Sequence, residues 1–168
     1  MKKRAKKKID KKPSSKSVQW VAVSGGFDPV HIGHTRMFEA AKRLGNKVVA
    51  ILNNDHWLRA KKGFVFMPQE ERVEVLSAFR SIDRVVLTEH EPNDTDRSVC
   101  RELEKIKPDI FANGGDRRNI NDIPEGAVCK KYGIKMVFGV GKGGKVQSSS
   151  WLTGKLKTAG KQKDSSAK

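Results

Sequence analysis

The chain has 168 residues, 36% of them apolar, which suits one buried core and is too short for two ordinary domains. No apolar run approaches the roughly 20 residues of a membrane-spanning helix, which argues against a membrane protein. The net charge of +16 would indicate nucleic-acid binding if it covered one face of the domain. The positions of the charged residues along the chain therefore have to be considered first.

The positive charge is concentrated at the two ends of the chain. Residues 1–17 hold nine lysines and arginines against Asp10, and residues 153–168 hold five lysines against Asp164, which leaves a charge of +4 for the rest. Neither end has an aromatic residue on which a nucleic-acid base could stack. We predict disordered basic tails at 1–17 and 157–168 around one domain at 18–156, and nucleic-acid binding only through those tails.

Strand and helix patterns alternate between the tails. Strands are predicted at Trp20–Val23, Lys47–Leu52, Ile82–Leu87, Asp109–Ala112 and Lys135–Val140, and helices at Thr35–Leu44, Pro68–Phe79, Ser98–Ile106 and Glu125–Tyr132, with a short last helix beginning near Ser149. This alternation predicts an α/β, Rossmann-like fold: a doubly wound, mainly parallel five-stranded sheet with helices on both faces. Ligands bind such sheets at the carboxyl ends of the strands.

The segment between the first strand and the first helix is the most informative. His31 and His34 lie three residues apart at a helix start, so both can hydrogen-bond the same anion beside the unpaired helix amides. Gly25 and Gly26 are expected to give the turn unusual dihedral angles and close backbone approach, and Gly33 removes a side chain between the histidines. Metal ligation or exposed caps are alternatives for the histidines. The flanking strand and helix, however, are the context that a polyphosphate site requires.

A second glycine-rich segment, Gly139–Lys145, has the spacing of a P-loop. Val146 follows it where a P-loop has Ser or Thr, and no helix begins at once. We therefore expect a basic cover over a nucleotide or a plain flexible loop, and no P-loop.

The two cysteines and the start of the chain bear on location. Cys100 and Cys129 lack the spacing of metal ligands, which predicts reduced thiols. No apolar stretch follows the charged start, so no secretory signal is predicted. Together these features predict a cytoplasmic protein.

Four motifs in order resemble those of a known family. The segment Gly25-Gly26-Phe27-Asp28-Pro29-Val30-His31-Ile32-Gly33-His34 resembles the first motif of the HxGH nucleotidylyltransferase superfamily, and within it the cytidylyltransferase-like enzymes of the glycerol-3-phosphate cytidylyltransferase and heptose 1-phosphate adenylyltransferase type. The further matches are Lys61-Lys62-Gly63 with Met67-Pro68-Gln69-Glu70-Glu71-Arg72, then Asn113-Gly114-Gly115-Asp116, then Ser148-Ser149-Ser150. The resemblance covers about residues 18–156.

The resemblance implies transfer of CMP or AMP from CTP or ATP to a small sugar or polyol phosphate, with release of pyrophosphate and use of Mg²⁺. It implies catalytic roles for His31, His34 and Lys62, with Lys62 or its neighbour Lys61 on a mobile loop, and an acceptor-binding role for Asp28. The implied nucleotide-binding residues are Gly26, Phe27, Gly33, Lys61, Arg72, Gly115, Asp116, Ser148 and Ser149. It also allows a homodimer, and it assigns no protein ligand to the metal.

Several of these assignments have structural alternatives. Asp28 could hydrogen-bond the turn, Arg72 and Asp116 could be ion-pair partners, Ser148 and Ser149 could only cap a helix, and Lys61 or Lys62 could be solvated. Residues 143–147 replace the arginine-bearing run that cytidylyltransferases have before the final hydroxyls, with Lys142 or Lys145 as substitutes, so the base stays open. The alternative function is a non-catalytic nucleotide- or RNA-binding module that uses the basic tails. A metal-dependent hydrolase would need more carboxylates.

Overall fold

The computed structural model describes residues 17–115, 123–141 and 147–154. Its helices and strands are, in chain order, β1 (Trp20–Gly25), α1 (Ile32–Leu44), β2 (Lys47–Leu52), α2 (Asp55–Lys62), α3 (Gln69–Ser77), β3 (Arg84–Leu87), α4 (Cys100–Ile106), β4 (Ile110–Ala112), α5 (Glu125–Tyr132) and β5 (Lys135–Val137). A helical turn follows at 149–154. The predicted tails lie outside the described residues, apart from Ser17.

The strands form one parallel sheet in the order β3-β2-β1-β4-β5. From β1 the chain first forms β2 and β3 on one side, and it then forms β4 and β5 on the other side of β1. The loops that follow β1 and β4 therefore diverge and open a crevice at the carboxyl edge of the sheet. The predicted α/β, Rossmann-like fold is confirmed.

The core has one apolar cluster on each face of the sheet. On β1, Val21 and Val23 belong to one cluster with Phe38 of α1 and Leu76 of α3, whereas Ala22 belongs to the other with Leu103 of α4. Alternate residues of a strand point to opposite faces, so helices are needed on both sides. No helix in the described ranges combines the length and the apolar character needed to cross a bilayer.

Helix α2 is the one helix in this part of the chain that the sequence analysis missed. Asn54 caps it by accepting a hydrogen bond from the Trp57 amide at 3.0 Å, and Gly63 ends it in the left-handed conformation at φ 80°. With eight residues, of which only Leu58 is buried, α2 is shorter than the roughly 11–18 residues over which apolar periodicity indicates a helix. The expectation that Lys61 and Lys62 lie on a mobile loop is wrong, because both are in the last turn of this helix.

The turn between α1 and β2 passes very close to the start of β1. A Cβ on Gly45 would lie 2.7 Å from the backbone oxygen of Gln19 and 2.7 Å from Cγ2 of Val21. The same Gln19 oxygen accepts hydrogen bonds from the amides of Asn46 and Lys47, so this contact sets the spacing of the two central strands.

We predict that Gly45→Ala lowers the free energy of unfolding by about 1–3 kcal/mol, because the backbone of β1 must move to admit the methyl group. Urea unfolding measures the change. The control is Gly154→Ala, since a Cβ there meets nothing within 4 Å. Equal stability of the two variants would contradict the prediction.

Candidate active site

A cavity of about 420 Å³ opens at the carboxyl edge of the sheet. It is lined by the end of β1, the start of α1, the end of α2, the loop after β4 and residues 147–150. Of the predicted site residues, the cavity brings together Gly26, Phe27, His31, Gly33, His34, Lys62, Gly115, Ser148 and Ser149. Asp116 and residues 142–146 lie outside the described residues, whereas Val140 and Gly141 of the second glycine-rich segment line the cavity.

The two histidines cap helix α1 reciprocally. Nδ1 of His31 accepts a hydrogen bond from the Gly33 amide at 3.2 Å, and Nδ1 of His34 accepts one from the His31 amide at 3.3 Å. The two rings stack with their centroids 3.7 Å apart. A nitrogen that accepts carries no proton, so each neutral ring has its proton on Nε2. Both histidines therefore offer the cavity a donor, Nε2–H.

The electrostatic environment keeps both rings neutral. Burial, followed by the charges of His31 and Lys62, lowers the pKa of His34 from 6.5 to about 3. Burial and then the charge of Lys62 also lower the pKa of His31, although its backbone hydrogen bond acts in the opposite direction. At neutral pH the pair consists of two uncharged hydrogen-bond donors.

The glycine turn before α1 is needed for a reason that the sequence analysis got wrong. The residue in the left-handed region is Phe27, at φ 48°, and neither Gly25 nor Gly26 has a positive φ. A Cβ on Gly25 would lie 3.0 Å from the Phe27 ring, and one on Gly26 would lie 2.8 Å from Leu58. Gly25 makes room for the buried Phe27 ring, and Gly26 makes room for Leu58. The Phe27 ring packs edge-on against His34 at a centroid distance of 4.9 Å.

Of the two candidate lysines, the structure brings Lys62 to the cavity. Its ammonium group donates a hydrogen bond to the Asp28 backbone oxygen at 3.1 Å, and burial is the main cause that lowers its pKa. The carboxylate of Asp28 opposes that shift. Lys61 is exposed and does not line the cavity.

Asp28 and Arg72 are fully buried and do not line the cavity. The carboxylate of Asp28 accepts hydrogen bonds from the amides of Phe66 at 2.9 Å and Met67 at 2.7 Å. The guanidinium of Arg72 bonds to backbone oxygens and to Asp55 at 2.6 Å. The geometry thus favours the structural alternatives for both residues over direct contact with acceptor or nucleotide.

The two serines have different partners. Ser148 caps the last helical turn, because its hydroxyl accepts a hydrogen bond from the Trp151 amide at 3.2 Å. The hydroxyl of Ser149 instead donates to the backbone oxygen of Pro29 at 2.9 Å. This bond joins the end of the described chain to the first motif.

The cavity is also lined by Met37, Trp57, Asn113 and Gln147, none of which is among the predicted site residues. The Trp57 indole Nε1–H donates to the backbone oxygen of Arg97 at 2.9 Å, which holds the ring in place. The cap at Asn54 and the terminating Gly63 of α2 were the available signal for Trp57, and Asn113 is the first residue of the third motif. Met37 and Gln147 carry no signal in a single sequence.

A family model for cytidylyltransferase-like proteins matches residues 22–136. The chain belongs to the cytidylyltransferase-like family. It is 34% identical over 120 residues to the bifunctional protein HldE of Streptomyces coelicolor, an alignment that covers 70% of this chain and 24% of that protein. It is 37% identical over 98 residues to the FAD synthase of Pyrococcus abyssi, covering 58% of this chain and 63% of that enzyme.

The chain therefore spans about a quarter of the first relative and less than two thirds of the second. Among solved structures, a lipopolysaccharide core biosynthesis protein from Thermoplasma volcanium aligns with a TM-score of 0.58 and 23% identity, over 72% of this chain and 95% of that one. This structural likeness supports the fold.

The described residues of this cytidylyltransferase-like site do not fit a protein-bound Mg²⁺. Their part of the cavity lining has no carboxylate, and across the described ranges no three His, Cys, Asp or Glu side chains come together as a metal-binding set. Because Mg²⁺ prefers carboxylate and phosphate oxygens, a ligand phosphate is the better partner here.

We predict that the free energy of unfolding falls as the pH is lowered, and that the His34 ring causes part of this loss because the fold keeps it neutral. In the unfolded chain the ring titrates near 6.5, and in the fold near 3, so the unfolded state binds more protons as the pH falls below 6.5. Between about pH 7 and about pH 5 the wild type should lose about 2 kcal/mol more than His34→Asn, whose amide still caps but does not titrate.

Urea unfolding at both pH values measures this difference. His56→Asn is the control, because His56 is an exposed residue of α2 that does not line the cavity. A parallel loss in the wild type and His34→Asn would show that the His34 ring is not held neutral by the fold.

Proposed function

We propose that this chain is a nucleotidylyltransferase that transfers CMP or AMP from CTP or ATP to a small phosphorylated acceptor and releases pyrophosphate. One observation carries the proposal: two imidazoles with Nε2–H donors and the Lys62 ammonium line one cavity at the carboxyl edge of the sheet. Membership of the cytidylyltransferase-like family supports the same reaction class.

The reaction is attack of an acceptor phosphate oxygen on the α-phosphorus of the triphosphate. A new P–O bond forms there while the bond to the α–β bridging oxygen breaks, and pyrophosphate leaves with that electron pair. An ionised phosphate is already a nucleophile, so the protein needs no general base. The absence of a general base agrees with the two histidines, because the Nδ1 atom of each already accepts a hydrogen bond from a backbone amide.

The residues then act by positioning and by stabilising charge. The Nε2–H groups of His31 and His34 hydrogen-bond the phosphate oxygens, and Lys62 offsets the charge that grows on the leaving pyrophosphate. Donors fixed before the substrate arrives need no reorganisation during the reaction. The described residues supply no Mg²⁺ ligand to this cavity, so a Mg²⁺ ion used in the reaction would be held by the triphosphate oxygens.

For the acceptor we propose a small sugar or polyol phosphate, and for the donor ATP is the first nucleotide to test. The Pyrococcus relative is named for making FAD, which is an adenine dinucleotide. The Trp57 ring at the cavity offers a flat surface on which a sugar or a base can stack.

We predict that His31→Ala and His34→Ala each lower kcat/KM about 100-fold or more, because each removes one fixed donor from the transition state. Pyrophosphate release from ATP and CTP with a panel of phosphorylated acceptors measures the change. His56→Ala is the matched control on α2. Unchanged turnover in both histidine variants would reject the site.

Calorimetric titration with ATP and CTP, with and without Mg²⁺, tests binding apart from turnover. The wild type should bind one of the two nucleotides, and the histidine variants should bind it more weakly. If neither nucleotide binds the wild type, the proposed function fails.

The charge of the tails favours one second candidate, a nucleic-acid-binding module. Deleting residues 1–17 and 155–168 separates the two functions. We predict that the deletion changes pyrophosphate release by less than about twofold but abolishes any steeply salt-dependent RNA affinity, because the tails hold most of the positive charge. Salt-dependent RNA affinity in a full-length chain that releases no pyrophosphate would favour the second candidate.

A further inference from the structure

Arg72 lies outside the cavity, yet its side chain bonds to the backbone segments that frame Lys62. We propose that Arg72 is a positioning residue: it fixes helix α2 and the turn before α1 so that the Lys62 ammonium stands beside the two histidines. The proposal rests on the proposed function, and it differs from the expectation that this arginine contacts the nucleotide.

The guanidinium of Arg72 bonds to four residues in three segments of the chain. Its Nε donates to the Met67 backbone oxygen at 2.9 Å, and its Nη1 donates at 2.7 Å to the backbone oxygens of both Gly26 and Asn53. Its Nη2 donates to the Asp55 carboxylate at 2.6 Å. These partners lie in the glycine turn, after β2, at the start of α2 and just before α3.

Asp28 also forms hydrogen bonds with helix α2 and with the segment just before α3. Its carboxylate accepts the amides of Phe66 and Met67, and its backbone oxygen accepts from the Lys62 ammonium at 3.1 Å. Met67 is therefore held through its amide by Asp28 and through its oxygen by Arg72. The turn that carries Asp28 cannot move relative to α3 without breaking one of these bonds.

Helix α2, which carries Lys62, is held at both ends by this arrangement. At its first residue, Asp55 bonds Arg72 through the carboxylate, and its amide donates to Oε1 of Gln69 at 3.0 Å. At its last residue, the ammonium group of Lys62 bonds to Asp28. The helix is only eight residues long, so a shift at Asp55 is carried directly to Lys62.

The charge of Arg72 also acts on Lys62: after burial, and against the opposing carboxylate of Asp28, it is a further cause that lowers the pKa of the Lys62 ammonium group. A substitution that keeps this charge is therefore needed to test the positioning role alone. The Arg72 side chain has no exposed surface, and it pairs with the Asp55 carboxylate at 2.6 Å. A planar guanidinium can donate to several acceptors at fixed angles, whereas an ammonium group acts as a point charge. Arg72→Lys therefore keeps the charge and removes the geometry.

A double-mutant cycle with Lys62→Ala tests the proposal. We expect Arg72→Lys to lower kcat/KM about tenfold or more when Lys62 is present, and less than about threefold in the Lys62→Ala background. Equal losses in both backgrounds would overturn the proposal, because direct nucleotide contact or general destabilisation would act independently of Lys62. Arg59→Lys is the control, since Arg59 pairs with the same Asp55 at 3.7 Å but is exposed.

A second measurement does not depend on turnover. Labelling of lysines with an amine-reactive acylating reagent over a pH range, read by peptide mass spectrometry, gives the apparent pKa of Lys62, which burial lowers in the wild type. In Arg72→Lys we expect this pKa to rise towards the ordinary value of 10.5, with exposed Lys61 as the internal reference. An unchanged Lys62 profile overturns the proposal, even if no substrate is found and the proposed function fails.

Gln69→Ala covers the case in which Arg72→Lys does not fold. It removes another hydrogen bond at the start of α2, the one from the Asp55 amide to Oε1 of Gln69, and it leaves the Arg72–Asp55 ion pair intact. We expect it to shift the Lys62 labelling in the same direction but by less, and to show the same dependence on Lys62 in kcat/KM. No shift in a folded Gln69→Ala protein would contradict the proposed coupling between the start of α2 and Lys62.

Discussion

The reciprocal cap at the start of α1 is the interaction on which the site depends. A helix begins with backbone amides that have no partner within the helix, and protein chains usually satisfy them with hydroxyl, carboxylate or amide oxygens. Here two imidazole nitrogens do so. An acidic cap would place negative charge beside a bound phosphate. The imidazoles satisfy the same amides without charge, and the tautomer that capping requires leaves one donor on each ring.

The second requirement is a rigid frame around these donors. Arg72 and Asp28 are both fully buried, and the hydrogen bonds that hold their side chains end on backbone or on a neutralising partner. Arg72 forms an ion pair with Asp55 at 2.6 Å, and removing Asp55 would leave the Arg72 charge buried without compensation, at a cost of about 3–5 kcal/mol. The frame therefore resists small displacements, and the imidazoles and Lys62 keep their relative positions before a ligand binds.

The sequence predicted most of the sheet because β1 and β2 have strong apolar patterns and because strand and helix segments alternate along the chain. It missed α2, which has only eight residues and buries only Leu58, so its signals are its cap and its terminating glycine. It singled out the two histidines at the strand–helix junction, and the structure brings both to the cavity, whereas their role in binding phosphate stays a prediction. It could not assign their tautomer, which depends on hydrogen-bond geometry.

Arg72 and Asp28 show a second limit of sequence-based prediction. Charged residues are usually exposed, and the partners of Arg72 lie up to 46 positions away in the chain, so nothing local reveals that its side chain is buried. The glycine turn shows a third limit: Gly25 and Gly26 were the right residues, but the reason lies in the packing of Phe27 and Leu58. Spacing indicates that a small residue is needed without indicating what occupies the space.

The described part of the cavity carries little of the positive charge of the chain. Among the described residues that line the cavity, Lys62 is the one with a formal charge at neutral pH, whereas most of the net charge of +16 lies in the tails. A cavity that relied on many cations would hold any polyanion, including nucleic acid, mainly through salt-dependent attraction. Neutral donors at fixed positions instead reward a ligand whose phosphate oxygens match their spacing. Under the proposed function, selectivity at this cavity would come from geometry, and the residues that hold Lys62 in place would matter as much as the charge that it carries.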